Sequence, residues 1–135
     1  MHTDDAAAHS ARSLGALSYA VGTDIAFAHG HYAPNTPCRR RLLAHELMHV
    51  AQQARAPAAM TLSLGPPDSA AEQQAAMVAN DVAAGKALTY RPLPTVRSIQ
   101  RADGALVGGI IAGVAAVVAP SGCASMAGTK AVIIG

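Results

Sequence analysis

Tryptophan is missing from the 135 residues, phenylalanine occurs once and tyrosine three times. Burial must therefore come from Ala, Val, Leu and Ile, each bringing modest area at roughly 25 cal/mol per Å², which predicts an Ala-rich core. Glutamate is as scarce, since Glu46 and Glu72 are the only two. Charge of either sign is thin: charged residues make up 13% of the chain, the formal net charge is +2, and the one basic run is Arg39, Arg40 and Arg41. A nucleic-acid binder needs dense, patterned Lys and Arg, so nucleic acid is not expected as a partner. The two cysteines, Cys38 and Cys123, lie too far apart for a C-x-x-C pair and specify neither a disulfide framework nor a Cys-ligated site; each is expected to be a buried or inert thiol. The opening stretch MHTDDAAAHS is acidic where a secretory signal needs a basic start and an apolar run, so no conventional export signal is expected.

What is present reads as one domain followed by a different kind of tail. The length suits a single compact core. DDAAAHSARSLGAL carries carboxylates in its first turn, which predicts a helix from about Asp4 to Leu17 with Thr3 as its cap. LSYAVGTDIAFAHG alternates around Tyr19, Val21, Ile25 and Phe27 with a break at Gly22 to Asp24, the pattern of two short strands or one kinked ribbon. After a proline-containing loop, CRRRLLAHELMHVAQQAR predicts a helix from near Cys38 that ends before Pro57. A third helix is expected over about Ser69 to Ala84, with Gly85 and Lys86 at its end. These pieces assign residues 1–88 to the domain, 89–103 to a proline-containing linker or extended arm, and 104–135 to an apolar glycine-rich tail. No charge occurs from Gly104 to Thr129. A stretch of about 20 apolar residues suffices to span a bilayer, but Pro120, Ser121 and Gly122 interrupt this one. Membrane contact and docking on the domain or a partner both stay open for it.

Within LLAHELMHVAQQ, His45 and His49 are four residues apart. On a helix they sit one above the other at roughly 5–6 Å between side-chain roots, so both imidazoles can address one ion. Glu46 projects beside them. Zinc lowers the pKa of bound water to about 7, and a neighbouring, non-ligating carboxylate can take the proton as water attacks a carbonyl; Glu46 fits that role. The bland alternative is an amphipathic helix whose core face is the stripe Leu43, Leu47, Val50 and Ala54. That stripe leaves out both histidines, while His45, Glu46, His49 and Gln53 share the adjacent face. A catalytic zinc takes three protein ligands as a rule. Arg55 stands where a third histidine would follow directly downstream, so a carboxylate on the next helix is the natural choice and Glu72 the first candidate. Against it, SAAE from Ser69 is a capping box in which Glu72 reaches back to the Ser69 backbone and touches no metal. Asp68 and the pair His29 and His31 are further candidates.

The order of these pieces resembles the core domain associated with extracellular contractile injection systems, over about His2 to Ala84. Its most specific elements here are the Gly22-x-Asp24-Ile25-x-Phe27 ribbon and LLAHELMHVAQQ. The resemblance implies a small α+β zincin-like metallopeptidase fold of three helices and a short β ribbon. His45, His49 and Glu72 would hold Zn²⁺, and Glu46 would act on water to hydrolyse a peptide or protein substrate. By analogy with zincins, the ribbon ending in DIAFA would be the peptide-binding edge, with Phe27 and Ala28 in contact with substrate. Where the resemblance leads one to expect an acid that orients a ligand histidine, this chain has Ala76. It also implies bacterial cytoplasm as the place of synthesis, export without a conventional signal, and contractile injection system components as partners. A rival expectation follows from the same likeness: a non-catalytic zincin-fold carrier or interaction module, with the tail as toxin payload, effector or membrane segment.

Overall fold

The structure, a computed structural model, describes residues 1–102; the apolar tail and Cys123 lie outside the described residues. In chain order it contains α1 (Asp5–Ser13), β1 (Ser18–Val21), β2 (Asp24–Phe27), α2 (Pro37–Gln53), α3 (Ala70–Ala83) and β3 (Gln100–Ala102). This is a small α+β domain with three helices and a three-stranded antiparallel sheet of order β2-β1-β3.

Each helix start has a local cause. At α1 the cap is Asp4 and not Thr3: its Oδ1 accepts from the Ala7 backbone N–H at 2.8 Å, and a carboxylate at that end also meets the positive pole of the helix dipole. Thr36 makes no side-chain cap for α2, which begins with Pro37, the residue whose missing N–H matters least in the first turn. Ser69 caps α3 by accepting from the Glu72 N–H at 3.2 Å. Between β1 and β2 the loop is Gly22 and Thr23, and Gly22 has φ 59°, the positive value that the first position of such a two-residue hairpin loop needs.

The apolar core has two parts. Ala20, Ile25, Phe27, Leu42 and Ala102 pack between the sheet and α2, with Leu17, Leu43 and Val50 against them. Met48, Ala75 and Val78 pack between α2 and α3, with Val82 and Tyr90 alongside. Cys38, in the first turn of α2, is half-buried.

The buried face of α2 differs from the one its apolar pattern suggests. Leu47 is 48% exposed and Ala54 is exposed, whereas Arg41, His45, Glu46, His49, Gln52 and Gln53 are buried beside Leu42, Ala44 and Met48. Polar groups are buried in native structures when they bond one another or a ligand, so this orientation already singles out the histidine face. Within the span read as linker, residues 100–102 form β3, which pairs with β1 opposite Ser18, Tyr19 and Ala20. Among the described residues no helix is long and apolar enough to cross a membrane.

Candidate metal centre

One helical turn separates His45 from His49 on α2, and both rings turn inward toward α3. Their Nε2 atoms lie 3.0 Å apart, with the rings nearly perpendicular at 84°. Glu72, in the first turn of α3, places Oε2 at 3.1 Å from His45 Nε2 and Oε1 at 3.3 Å from His49 Nε2. The three residues are buried, at 1%, 0% and 6% exposure, and they form a group able to hold a metal ion. The rivalry between cap and ligand at Glu72 resolves atom by atom. Ser69 Oγ serves the Glu72 N–H, the Ser69 N–H goes to the Pro66 carbonyl, and the Glu72 carboxylate is left facing the two imidazoles.

The hydrogen bonds around His49 fix its tautomer. Gln52 Nε2 donates to the Ala71 carbonyl and to Gln74 Oε1, each at 3.0 Å. The carboxamide oxygen is thereby turned to His49 Nδ1 at 2.9 Å, so Nδ1 carries the hydrogen and neutral His49 presents the Nε2 lone pair to His45 and Glu72. Two imidazole nitrogens and a carboxylate at this separation repel unless a proton or a cation lies among them. His45 Nδ1 is buried without a hydrogen-bond partner. Ala76, where an orienting acid was expected, is buried and offers no side-chain polar atom.

Electrostatics follow the same geometry. For Glu72, burial pushes the carboxyl upward, but the His45 and His49 rings, which donate to it when Nε2 carries a proton, outweigh it and hold the pKa down at about 2. For His45, burial dominates over the Glu72 hydrogen bond, and its pKa is lowered. For His49, burial is outweighed by the hydrogen bond and charge of Glu72, with Glu46 and Gln52 adding to it, and its pKa is raised. Glu46 is fully buried; burial lifts it to about 8, against the Ser18 hydrogen bond that lowers it. Ser18 Oγ, on β1, donates to Glu46 Oε1 at 2.6 Å, while Glu46 Oε2 has no protein partner. Glu46 is thus tethered to the sheet by one oxygen and keeps the other free.

The remaining sequence candidates are elsewhere. His29 pairs with Asp5 at the surface, His31 Nδ1 accepts from Arg39, and Asp68 is exposed. Phe27 is 1% exposed and belongs to the sheet-side core, with its ring against Tyr32; Ala28 is buried too. As the only phenylalanine, Phe27 is the largest apolar side chain available to fill that core. The outer edge of β2 is also partly taken, since His2 bonds to Ile25 and Phe27 backbone atoms at 2.7 and 3.1 Å.

Sequence reasoning passed over Ser18 and Gln52. The second had a readable signal, because Gln52 lies three residues after His49 on one helix and such pairs meet. The first had none, because its partner is 28 residues away.

Residues 1–57 match the model of the eCIS core domain family. That span carries α1, the β1–β2 hairpin and α2 with both histidines, and it ends before Glu72. No curated protein and no solved structure matches the chain.

Proposed function

We propose that this domain is a zinc metallopeptidase associated with a contractile injection system. The observation that carries the reading is the buried His45–His49–Glu72 cluster with a second, non-ligating carboxylate, Glu46, tied down beside it. A tetrahedral zinc at about 2.0–2.1 Å from its ligands separates them by roughly 3.3 Å, close to the 3.0, 3.1 and 3.3 Å between these side-chain atoms. Two nitrogens and one carboxylate form a donor set that suits zinc and leaves a fourth position open. When bound there, zinc supplies Lewis acidity and brings the pKa of water to about 7.

The chain's own residues divide the remaining work. Gln52 holds His49 in the ligating tautomer. Ser18 fixes Glu46 through Oε1, so that Oε2, in the ionised form that a carboxyl lifted to about 8 reaches only as the pH approaches that value, accepts a proton from water and passes it to the leaving amine. Metal analysis of the purified protein, followed by comparison of the parent with Glu46→Gln on a peptide library, tests this reading. Turnover is expected to fall by at least about 10²-fold with zinc content unchanged, and equal cleavage by both proteins would remove Glu46 as the base.

A second reading has its own support. The four site residues are nearly sealed, and a carrier module that keeps the zincin arrangement for stability needs no open cleft. Zinc bound without turnover of any library peptide favours that alternative.

A further inference from the structure

The strand nearest Glu46 is β1, and its outer edge is taken by the chain itself. Ala102 is the Cα partner of Ser18, Arg101 of Tyr19 and Gln100 of Ala20. Ser18 is the residue whose hydroxyl holds Glu46, so any extended peptide pairing with this edge runs past the candidate base, and residues 100–102 already do so. An outside peptide needs the same backbone donors and acceptors. With His45, Glu46, His49 and Glu72 at 6% exposure or less, it cannot reach them while β3 is in place.

The approach to β3 is a strap rather than a packed element. Residues 91–94 are exposed and bonded to α3 through the Gln74 carboxamide, which accepts from the Leu93 N–H and donates to the Arg91 carbonyl, both at 2.9 Å. Further on, the Thr95 N–H donates to the Gln52 carbonyl at 3.1 Å. The Ser98 N–H donates to Gln53 Oε1 at 3.2 Å, an atom that also accepts from Gly22. Two glycines make room for the strap. A Cβ at Gly22 would lie 3.2 Å from the Arg97 guanidinium, and one at Gly65 would lie 2.3 Å from the Gln100 carboxamide.

The seat is held along the backbone, where Ile99 exchanges bonds with Ser63 and Gly65 at 2.9 Å and the Ala102 carbonyl accepts from Leu17 at 2.8 Å, but its side chains are poorly satisfied. Gln53 Nε2, Thr95 Oγ1, Arg97 Nε and Gln100 Oε1 are buried without protein partners. An integral strand of a sheet normally brings apolar side chains inward, whereas this one buries Gln100 and the small Ala102. A segment with few buried apolar contacts and orphaned polar atoms belongs to the parts of a protein that open locally at low free energy.

We propose that residues 95–102 are a latch occupying the peptide-binding edge of β1, and that the site accepts an extended peptide, antiparallel to β1, only when this segment leaves. The identity of the occupant as a substrate rests on the metallopeptidase reading; the exchange of one strand for another does not.

The test uses the full chain carrying Glu46→Gln, which separates binding from turnover, with and without added Zn²⁺. The probe is a labelled peptide of sequence TVRSIQRA, that of residues 95–102. A tethered segment competes at an effective concentration in the millimolar range, so the parent is expected to bind the probe weakly. Gln100→Pro, which removes the N–H of a residue that pairs with Ala20 on the side of β1 facing β3, is expected to bind it at least about tenfold more tightly. Tyr19→Cys combined with Arg101→Cys, a cross-strand pair, is expected to show no binding when oxidised and to recover the parent's affinity in reductant, measured beside the parent in the same reductant. If Gln100→Pro fails to fold, the oxidised and reduced forms of the double variant decide the matter. Equal affinity in locked, parent and released proteins overturns the latch. Absence of zinc or of hydrolysis leaves this readout intact and counts only against the metallopeptidase.

Discussion

The α1–hairpin side of the domain and the α2–α3 seam solve the burial problem in opposite ways. On the first, a capped, Ala-rich helix covers β2, with Ala7, Ala8 and Ala11 buried, and Ile25 and Phe27 fill the sheet-side core. On the second, α2 turns His45, His49 and Gln52 toward polar groups of α3 while Leu47 faces water. Apolar burial is self-sufficient, but a buried polar cluster needs partners for every atom. The hairpin side is therefore the scaffold, and the seam is where stability depends on a proton or an ion.

Four changes probe that division, taken in order of expected size. Phe27→Ala should lower the stability of the domain by about 3–5 kcal/mol, seen in denaturant unfolding, because it empties the sheet-side core, and the loss should be the same with or without metal. Glu72→Ala should abolish the gain in stability on adding zinc, a gain of about 2.7 kcal/mol when free metal is a hundredfold above Kd; thermal melts with and without metal read it directly. Gln52→Ala should weaken zinc affinity 10–100-fold, or about 1.4–2.7 kcal/mol, by freeing His49 to adopt the other tautomer, as competition with a chelator would report. Asp4→Ala should reduce stability by about 1 kcal/mol through loss of the α1 cap and leave zinc affinity untouched. A metal effect from Asp4, or none from Gln52, would erase the distinction between the two regions.

Much of this was legible in the chain. The helix starts at Asp5, Pro37 and Ala70 fall within two residues of their caps and breaks, because prolines, glycines and Ser or Asp caps act locally. The four-residue spacing of His45 and His49 puts two imidazoles on one face by helix geometry alone, and the scarcity of glutamate points to Glu72. The apolar stripe on α2 is only half used: Leu43 and Val50 pack against the sheet-side core, while Leu47 and Ala54 face water, because a helical period does not say what packs on it. The prolines at positions 92 and 94 obscured β3 by marking the whole segment as loop.

From the sequence alone came the order of the elements and which side chains of α2 share a face, since both depend on helix and strand periods and on residues a few places apart. Only the tertiary structure decided which face of α2 is buried, that the Glu72 carboxylate turns to the histidines while Ser69 serves the helix end, and that residues 100–102 take the edge of β1. Each of those outcomes is a choice between partners distant in the chain, and a local pattern contains no information about which of them arrives.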